Sequence, residues 1–297
     1  MAALLNTRPD DRLWAVDKVI LAYLALTGAL VALYARQIPD AAVLLLLHLA
    51  GAALVLFAAR REGRAVRLFR DWYPLPYVTL CYREMAIVIP AVRQTTADRW
   101  LAELDFAIWH AHPTVWLERL QTPLLTEALQ VVYTLFVPVV LLVPFLLWRK
   151  RRYADFRYCT FLITLGFLVS YAGYLMVPAR GPRFILAELQ HAPLRGRWLF
   201  DAMQATLDRL ESAHYDCFPS GHTELTLLAW WSSRSLSTRL FAAYSAYTIC
   251  IMLATVYLRY HYTVDVGAGV LVAAALIVTA PALYRRLSAQ GDPRGDH

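Results

Sequence analysis

Long apolar stretches broken at intervals by arginine clusters dominate the chain. Runs over about 16–35, 40–59, 124–148, 157–177, 221–235, 239–258 and 265–284 carry almost no charge. A helix rises 1.5 Å per residue, so crossing a hydrocarbon layer about 30 Å thick takes about 20 residues. The runs therefore predict membrane-spanning helices. The clusters Arg60-Arg61 to Arg70, Arg149-Lys150-Arg151-Arg152, Arg234 to Arg239 and Arg285-Arg286 follow alternate runs. Positive residues collect on the cytoplasmic side of short loops, which assigns all four clusters, and the N-terminus with Arg8 and Arg12, to the cytoplasm.

Parity then requires one more crossing within 61–122. The best candidate is 72–92, from Trp72 to Val92, interrupted by the adjacent pair Arg83-Glu84. Ionisable residues at bilayer depth are costly and turn, paired, toward the bundle interior. The expected fold is all-α: a polytopic transmembrane helical bundle of about eight crossings. Residues 98–122 follow a different pattern. Trp100, Leu101, Leu104, Ile108, Trp109, Val115, Trp116 and Leu120 are interleaved with acids, arginines, His110 and His112, and Pro113 interrupts them. This predicts interfacial helices on the outer surface, with tryptophans at headgroup depth and the two histidines as a solvated pair.

Composition supports this reading. The chain has 297 residues, 59% hydrophobic and 17% charged, with a mean hydropathy of +0.44; a soluble domain carries about 25% charge. The net charge of +7 sits beside apolar runs, so it reads as membrane topology and not as a nucleic-acid surface. The first dozen residues lack an apolar core followed by a small-residue cleavage site, so the first run is expected to stay as an anchor. Cys81, Cys159 and Cys250 lie in apolar runs and are expected to be small buried residues. Cys217 lies in a predicted outer loop without a disulfide partner.

The candidate chemistry lies near the C-terminal end. Pro219-Ser220-Gly221-His222-Thr223 and His261-Tyr262-Thr263-Val264-Asp265 place two histidines 39 residues apart across mostly apolar chain. That is about one crossing and one return, so both reach the same membrane face. Pro219 and Ser220 suit a helix start, and Gly221 permits close backbone approach. The first turn of a helix offers free N–H groups to an anion. His261 and Asp265, four residues apart, would share a helix face, the carboxylate holding one imidazole nitrogen as N–H and leaving the other to attack. Arg180 and Arg183 stand in a Pro/Gly-rich turn after Tyr174, and Arg259 lies two residues before His261. Guanidinium forks suit phosphate oxygens. Singly, such residues are ordinary at a span end, where arginines bind lipid phosphate without chemistry. Their convergence on one face indicates an active site. A transporter or flippase of anionic lipids is the alternative, and the Arg83-Glu84 pair would suit it. Such proteins, however, hold their site near the midplane between repeated halves, and no repeat is present.

Pro-Ser-Gly-His followed by His-x-x-x-Asp resembles the second and third signatures of the type 2 phosphatidic acid phosphatase superfamily, over about residues 124–284. The spellings Ser-Gly-His-Thr and His-Tyr-Thr-Val-Asp are similar to the inositol phosphorylceramide synthase and sphingomyelin synthase branches. The stretch Tyr174 to Arg183 resembles the inositol phosphotransferase branch. Met176 stands where the first signature has lysine, Phe184 follows Arg183 in place of proline, and Ala254-Thr255 replace a Ser-Arg pair. These departures favour a synthase-like branch over a generic phosphatidate phosphatase.

The resemblance implies a six-helix-type catalytic core. The domains expected are accessory spans and interfacial helices over 1–122, the catalytic core over 123–286 and a polar cytoplasmic tail over 287–297. It implies that His261 attacks phosphorus, Asp265 orients it and His222 protonates the leaving oxygen. Arg183, Arg180, Arg259, Ser220 and Gly221 would hold the phosphate oxygens. The expected partners are a lipid phosphate substrate, surrounding membrane lipids and an alcohol or polyol acceptor where transfer replaces hydrolysis. The site would face the periplasm or lumen, in the inner membrane if the source is bacterial. No acidic cluster or His/Cys spacing suggests a metal, and no cofactor is expected.

Overall fold

Apolar segments in lipid must satisfy their backbone groups internally, so each long run winds into a helix. The computed structural model describes residues 13–210 and 215–289; Arg8, Arg12 and residues 290–297 of the expected tail lie outside the described residues. The first half contains α1 (Ala15–Leu33), α2 (Ala41–Ala59), α3 (Arg64–Trp72), α4 (Pro74–Val92), α5 (Asp98–Trp109), α6 (Pro113–Trp116), α7 (Pro123–Thr134) and α8 (Phe136–Arg149). There follow α9 (Tyr153–Met176), α10 (Pro182–Ile185), α11 (Phe200–Leu210), α12 (Gly221–Ser233), α13 (Thr238–Tyr257) and α14 (Thr263–Ala289). Among the described residues β pairing is limited to an isolated bridge between Ala179 and Asp216. The protein is thus an all-α polytopic bundle.

Local chemistry places several helix starts. Pro74, Pro113, Pro123 and Pro182 occupy first-turn positions, where a missing N–H costs nothing. The hydroxyls of Thr122, Ser220 and Ser237 cap α7, α12 and α13 by accepting from the amides of Leu125, Thr223 and Leu240.

Among the described residues six helices (α1, α2, α4, α9, α13 and α14) are long and apolar enough to cross a membrane, and α7 with α8, bent by 43°, makes a seventh if taken as one span. The run 221–235, expected to be one of the crossings, forms α12, which has only 13 residues. At 1.5 Å each it reaches about 20 Å, short of a hydrocarbon layer about 30 Å thick. It instead packs in the middle of the bundle against α8, α9, α13 and α14. α4 carries Arg83 and Glu84 as anticipated, but they do not pair. Glu84 contacts His48 Nε2 at 3.2 Å, while Arg83 is exposed. Adjacent helical residues point about 100° apart, so only one of the two can face inward.

The bundle has two chemically distinct ends. His261 precedes the start of α14 and Arg285 stands 22 residues after Thr263, about 33 Å along the helix. His222 likewise opens α12 while Arg234 ends it, and Arg152 near the start of α9 donates to the Ser235 carbonyl at 2.6 Å. The histidines share one end and these arginine clusters the other.

Candidate active site

The Pro-Ser-Gly-His segment is held by small-residue contacts. A methyl group added at Gly173 of α9 would collide with the Pro219 ring, and one at Gly269 of α14 would lie 2.6 Å from the Ser220 carbonyl oxygen. Gly221 leaves room for the Tyr174 hydroxyl, which would sit 2.5 Å from a methyl there. Close backbone approach is what these positions require. The Ser220 amide is already used, donating to the Asp265 carbonyl at 3.0 Å. That bond ties α12 to α14 and removes Ser220 N–H from the expected phosphate cradle. The amides of Gly221 and His222, the first two of α12, have no intrahelical acceptor.

His261 and Asp265 do not lie on one helix as expected. α13 ends at Tyr257 and α14 begins at Thr263. The intervening turn passes through Arg259 at φ 67°. The amides of Tyr260 and His261 both donate to the Thr255 carbonyl, at 2.9 and 3.1 Å. His261 Nδ1 lies 2.8 Å from the Cys217 carbonyl oxygen and 3.5 Å from Asp265 Oδ2. A carbonyl only accepts, so Nδ1 carries the proton and donates. Nε2 keeps its lone pair and faces His222 Nδ1 across 3.3 Å. Asp265, fully buried, accepts the Tyr262 amide and the Cys217 thiol on Oδ2, each at 2.8 Å. Cys217, in the loop expected for it, is therefore buried and engaged, whereas Cys250, expected to be buried, is exposed. Burial, reinforced by the Asp265 charge, pushes the Cys217 thiol well above its ordinary range, so it stays a donor at neutral pH. His222 is wedged between the rings of Tyr133 and Phe136, with centroids at 4.5 and 4.4 Å.

The arginine turn abuts both segments. Gly181 has φ 96°, and a methyl there would sit 2.7 Å from the Tyr260 carbonyl oxygen. The Arg183 amide donates to the Arg259 carbonyl at 3.0 Å. Its guanidinium meets Asp208 of α11 at 2.8 Å and stacks over Phe184. Arg180 is exposed and also lies over Phe184. A cavity of about 420 Å³, counting its open mouth, is lined by His222, His261, Arg180, Arg183, Asp208 and Asp216 among others.

Arg259 is not brought to this cavity. Its guanidinium turns away, to Glu118 at 2.8 Å, the Gln190 side chain at 3.1 Å and the Ala192 carbonyl at 2.6 Å. Burial lowers its pKa against the pull of Glu118. With its backbone in the left-handed region, its guanidinium ends on Glu118 and Ala192, which spacing alone could not reveal. Ala254 and Thr255, where the resemblance lacks Ser-Arg, are buried in α13, and Met176 is exposed.

Cys217, His261 and Asp265 place three ligand-type atoms within 4.8 Å of one another, a grouping the linear spacing did not suggest. The thiol and the imidazole are each already bonded within this cluster. Three further contributors were missed: the Cys217 carbonyl, the Tyr133–Phe136 slot, and two buried acids of α5. Asp98 accepts from the Arg180 and Gly181 amides, and Asp105 from those of Thr263 and Val264. Seven-residue spacing on the face that carries Leu101 was the available signal.

No curated protein and no solved structure matches this chain. The family model for the PAP2 superfamily matches residues 99–279, from the second residue of α5 into α14, taking in both histidine segments and the arginine turn. With more than half its length matched, the chain belongs to the PAP2 superfamily, and this membership supports a phosphatase-type phosphoesterase activity.

Proposed function

We propose that this chain is an integral membrane lipid phosphatase or lipid headgroup phosphotransferase, working through a phosphohistidine on the outer face of the membrane. One observation carries the reading: His261 donates a hydrogen bond from Nδ1–H to the Cys217 carbonyl oxygen and presents Nε2 to His222 at 3.3 Å. Nε2 attacks phosphorus, forming an N–P bond as the bond to the lipid oxygen breaks. Burial, and then the neighbouring His261, hold the His222 pKa well below its ordinary value, so His222 takes up a proton from water as the anionic substrate enters and gives it to that oxygen. Water or an alcohol then gives a proton back to His222 and attacks the phosphohistidine, breaking the N–P bond. Developing charge on the phosphoryl oxygens is met by Arg183, Arg180 and the amides of Gly221 and His222. Asp265 neutralises the imidazolium.

The 3.3 Å gap is too narrow for a phosphoryl group, so substrate entry parts the rings by sliding His222 within its aromatic slot. Asp208 occupies Arg183 and is displaced by the incoming anion. The motif spelling supports an inositol phosphotransferase-like acceptor, an alcohol or polyol. Arginines at the opposite bundle end support cytoplasmic termini and an outward-facing site. The test incubates purified protein with labelled phospholipids and candidate alcohols. Inorganic phosphate means hydrolysis and a new phosphodiester means transfer. Neither product, with lipid crossing vesicles, overturns the proposal in favour of transport.

A further inference from the structure

We propose that Asp98 and Asp105, two carboxylates on one face of α5, are positioning residues for this chemistry: Asp98 fixes the arginine turn and Asp105 fixes the segment bearing His261 and Asp265. The inference rests on the histidine reading above and goes beyond it, since neither residue lines the catalytic cavity.

The two acids are seven residues apart, about two helical turns, so they share a face. Each is only 1% exposed. Between them Leu101 and Ala102 pack against Ala179, Leu186, Cys217 and Tyr262, while Trp100 and Ile108 remain exposed and Trp109, on the face of the acids, donates its indole N–H to the Thr263 hydroxyl oxygen at 2.7 Å. A buried carboxylate persists only where hydrogen bonds replace its water, and here every replacement comes from a catalytic segment. Asp98 accepts the Arg180 amide on both oxygens, at 3.0 and 2.9 Å, the Gly181 amide at 2.8 Å and the Tyr262 hydroxyl at 3.2 Å. Asp105 accepts the Thr263 amide at 2.9 Å, its hydroxyl at 2.7 Å and the Val264 amide at 2.9 Å.

These last bonds explain how α14 begins. Its first amides have no intrahelical acceptor, a need normally met by a short polar side chain just before the helix. Tyr262 stands there and its ring cannot serve. The cap arrives from 158 residues away, through Asp105. Asp265, in the same first turn, reaches back to the Tyr262 amide, and His261 precedes it directly. Tyr262 therefore ties together both carboxylates: its hydroxyl is on Asp98 and the next residue is on Asp105. α5 sets the distance between the phosphate-binding cations and the nucleophile, as a strut touching neither substrate nor reacting atoms.

The roles are separable by kinetics. Asp98→Asn loosens Arg180 and Arg183, so it raises KM about tenfold with kcat little changed. Asp105→Asn loosens the nucleophile, so it lowers kcat by roughly ten- to a hundredfold at similar KM, since an ångström of misplacement costs about a hundredfold. Both are compared with the parent in detergent, using phosphate release from a short-chain lipid phosphate, with thermal midpoints to verify folding. Opposite KM and kcat effects support the proposal. Folded variants within twofold of the parent in both parameters, or losing both in equal proportion, overturn it. If neither variant folds, Tyr262→Phe decides: a threefold or greater loss of kcat/KM supports it, and less than twofold overturns it. An active His261→Ala enzyme would instead sink the underlying histidine reading, whatever the α5 variants do.

Discussion

Replacing Gly269 with alanine tests how closely the two histidine segments must be held. The added methyl would meet the Ser220 carbonyl oxygen at 2.6 Å and Thr223 Cβ at 3.0 Å. Neither is the end of a flexible side chain, so α12 and α14 must separate. Reaching ordinary contact near 3.4 Å takes a shift of about 0.8 Å. That stretches the Ser220–Asp265 backbone bond from 3.0 Å to about 3.8 Å, outside hydrogen-bond range. It also widens the 3.3 Å His222–His261 gap by a similar amount. Overpacking of this kind costs about 1–3 kcal/mol, and at roughly a hundredfold per ångström turnover falls several tens of fold. Gly267 of the same helix is the control. A methyl there meets nothing within 4 Å, and alanine in a helix gains about 0.5–1 kcal/mol over glycine. Gly269→Ala should lower both thermal midpoint and phosphate release, while Gly267→Ala keeps both. Indistinguishable variants would refute the argument that this contact sets the histidine geometry.

Four further expectations follow from the site. His261→Ala should abolish turnover, and His222→Ala should lower it by about 10²–10⁴-fold; a leaving group that needs no proton, such as nitrophenolate, should recover much of the loss in the His222 variant alone. Asp208→Asn removes one carboxylate from Arg183 and should lower KM about two- to fivefold at constant kcat, the range of an exposed ion pair, as read from initial rates. Arg259→Met breaks a buried pair with Glu118 and should cost about 3–5 kcal/mol in thermal unfolding while leaving phosphate affinity in place; a tenfold rise in KM would return Arg259 to the phosphate site. Because the Cys217 thiol is raised in the folded protein, its contribution is fully present below the unfolded thiol value of about 8.5 and is lost as pH rises through the folded value. Thermal midpoints above pH 8.5 should thus fall more steeply for the parent than for Cys217→Ala, and parallel curves would contradict the assignment.

Much was legible in the linear chain because the physics behind it is local. Hydrophobic run length alone specifies helices that can cross a bilayer, and α1, α2, α4, α9, α13 and α14 appear where the apolar runs stand. Ser220 caps α12 because a hydroxyl there reaches the amide three residues on. The histidines meet because His222 opens one helix and His261 precedes another at the same bundle end. Other features depend on which segments become neighbours across large sequence separations. The 13 residues of α12 look like another span until α8, α9, α13 and α14 enclose them. Arg259 looks like a phosphate ligand until its positive φ turns it toward Glu118, 141 residues away. Asp98 and Asp105 look like solvated interfacial acids until the arginine turn and the start of α14 deliver their amides, which only folding can do. Run length and capping chemistry, both local, specify the helices and place the reactive side chains along them. The tertiary structure decided which carbonyl holds His261, which arginines face the cavity and which acids brace the site, because hydrogen-bond partners distant in sequence are chosen by packing and not by spacing.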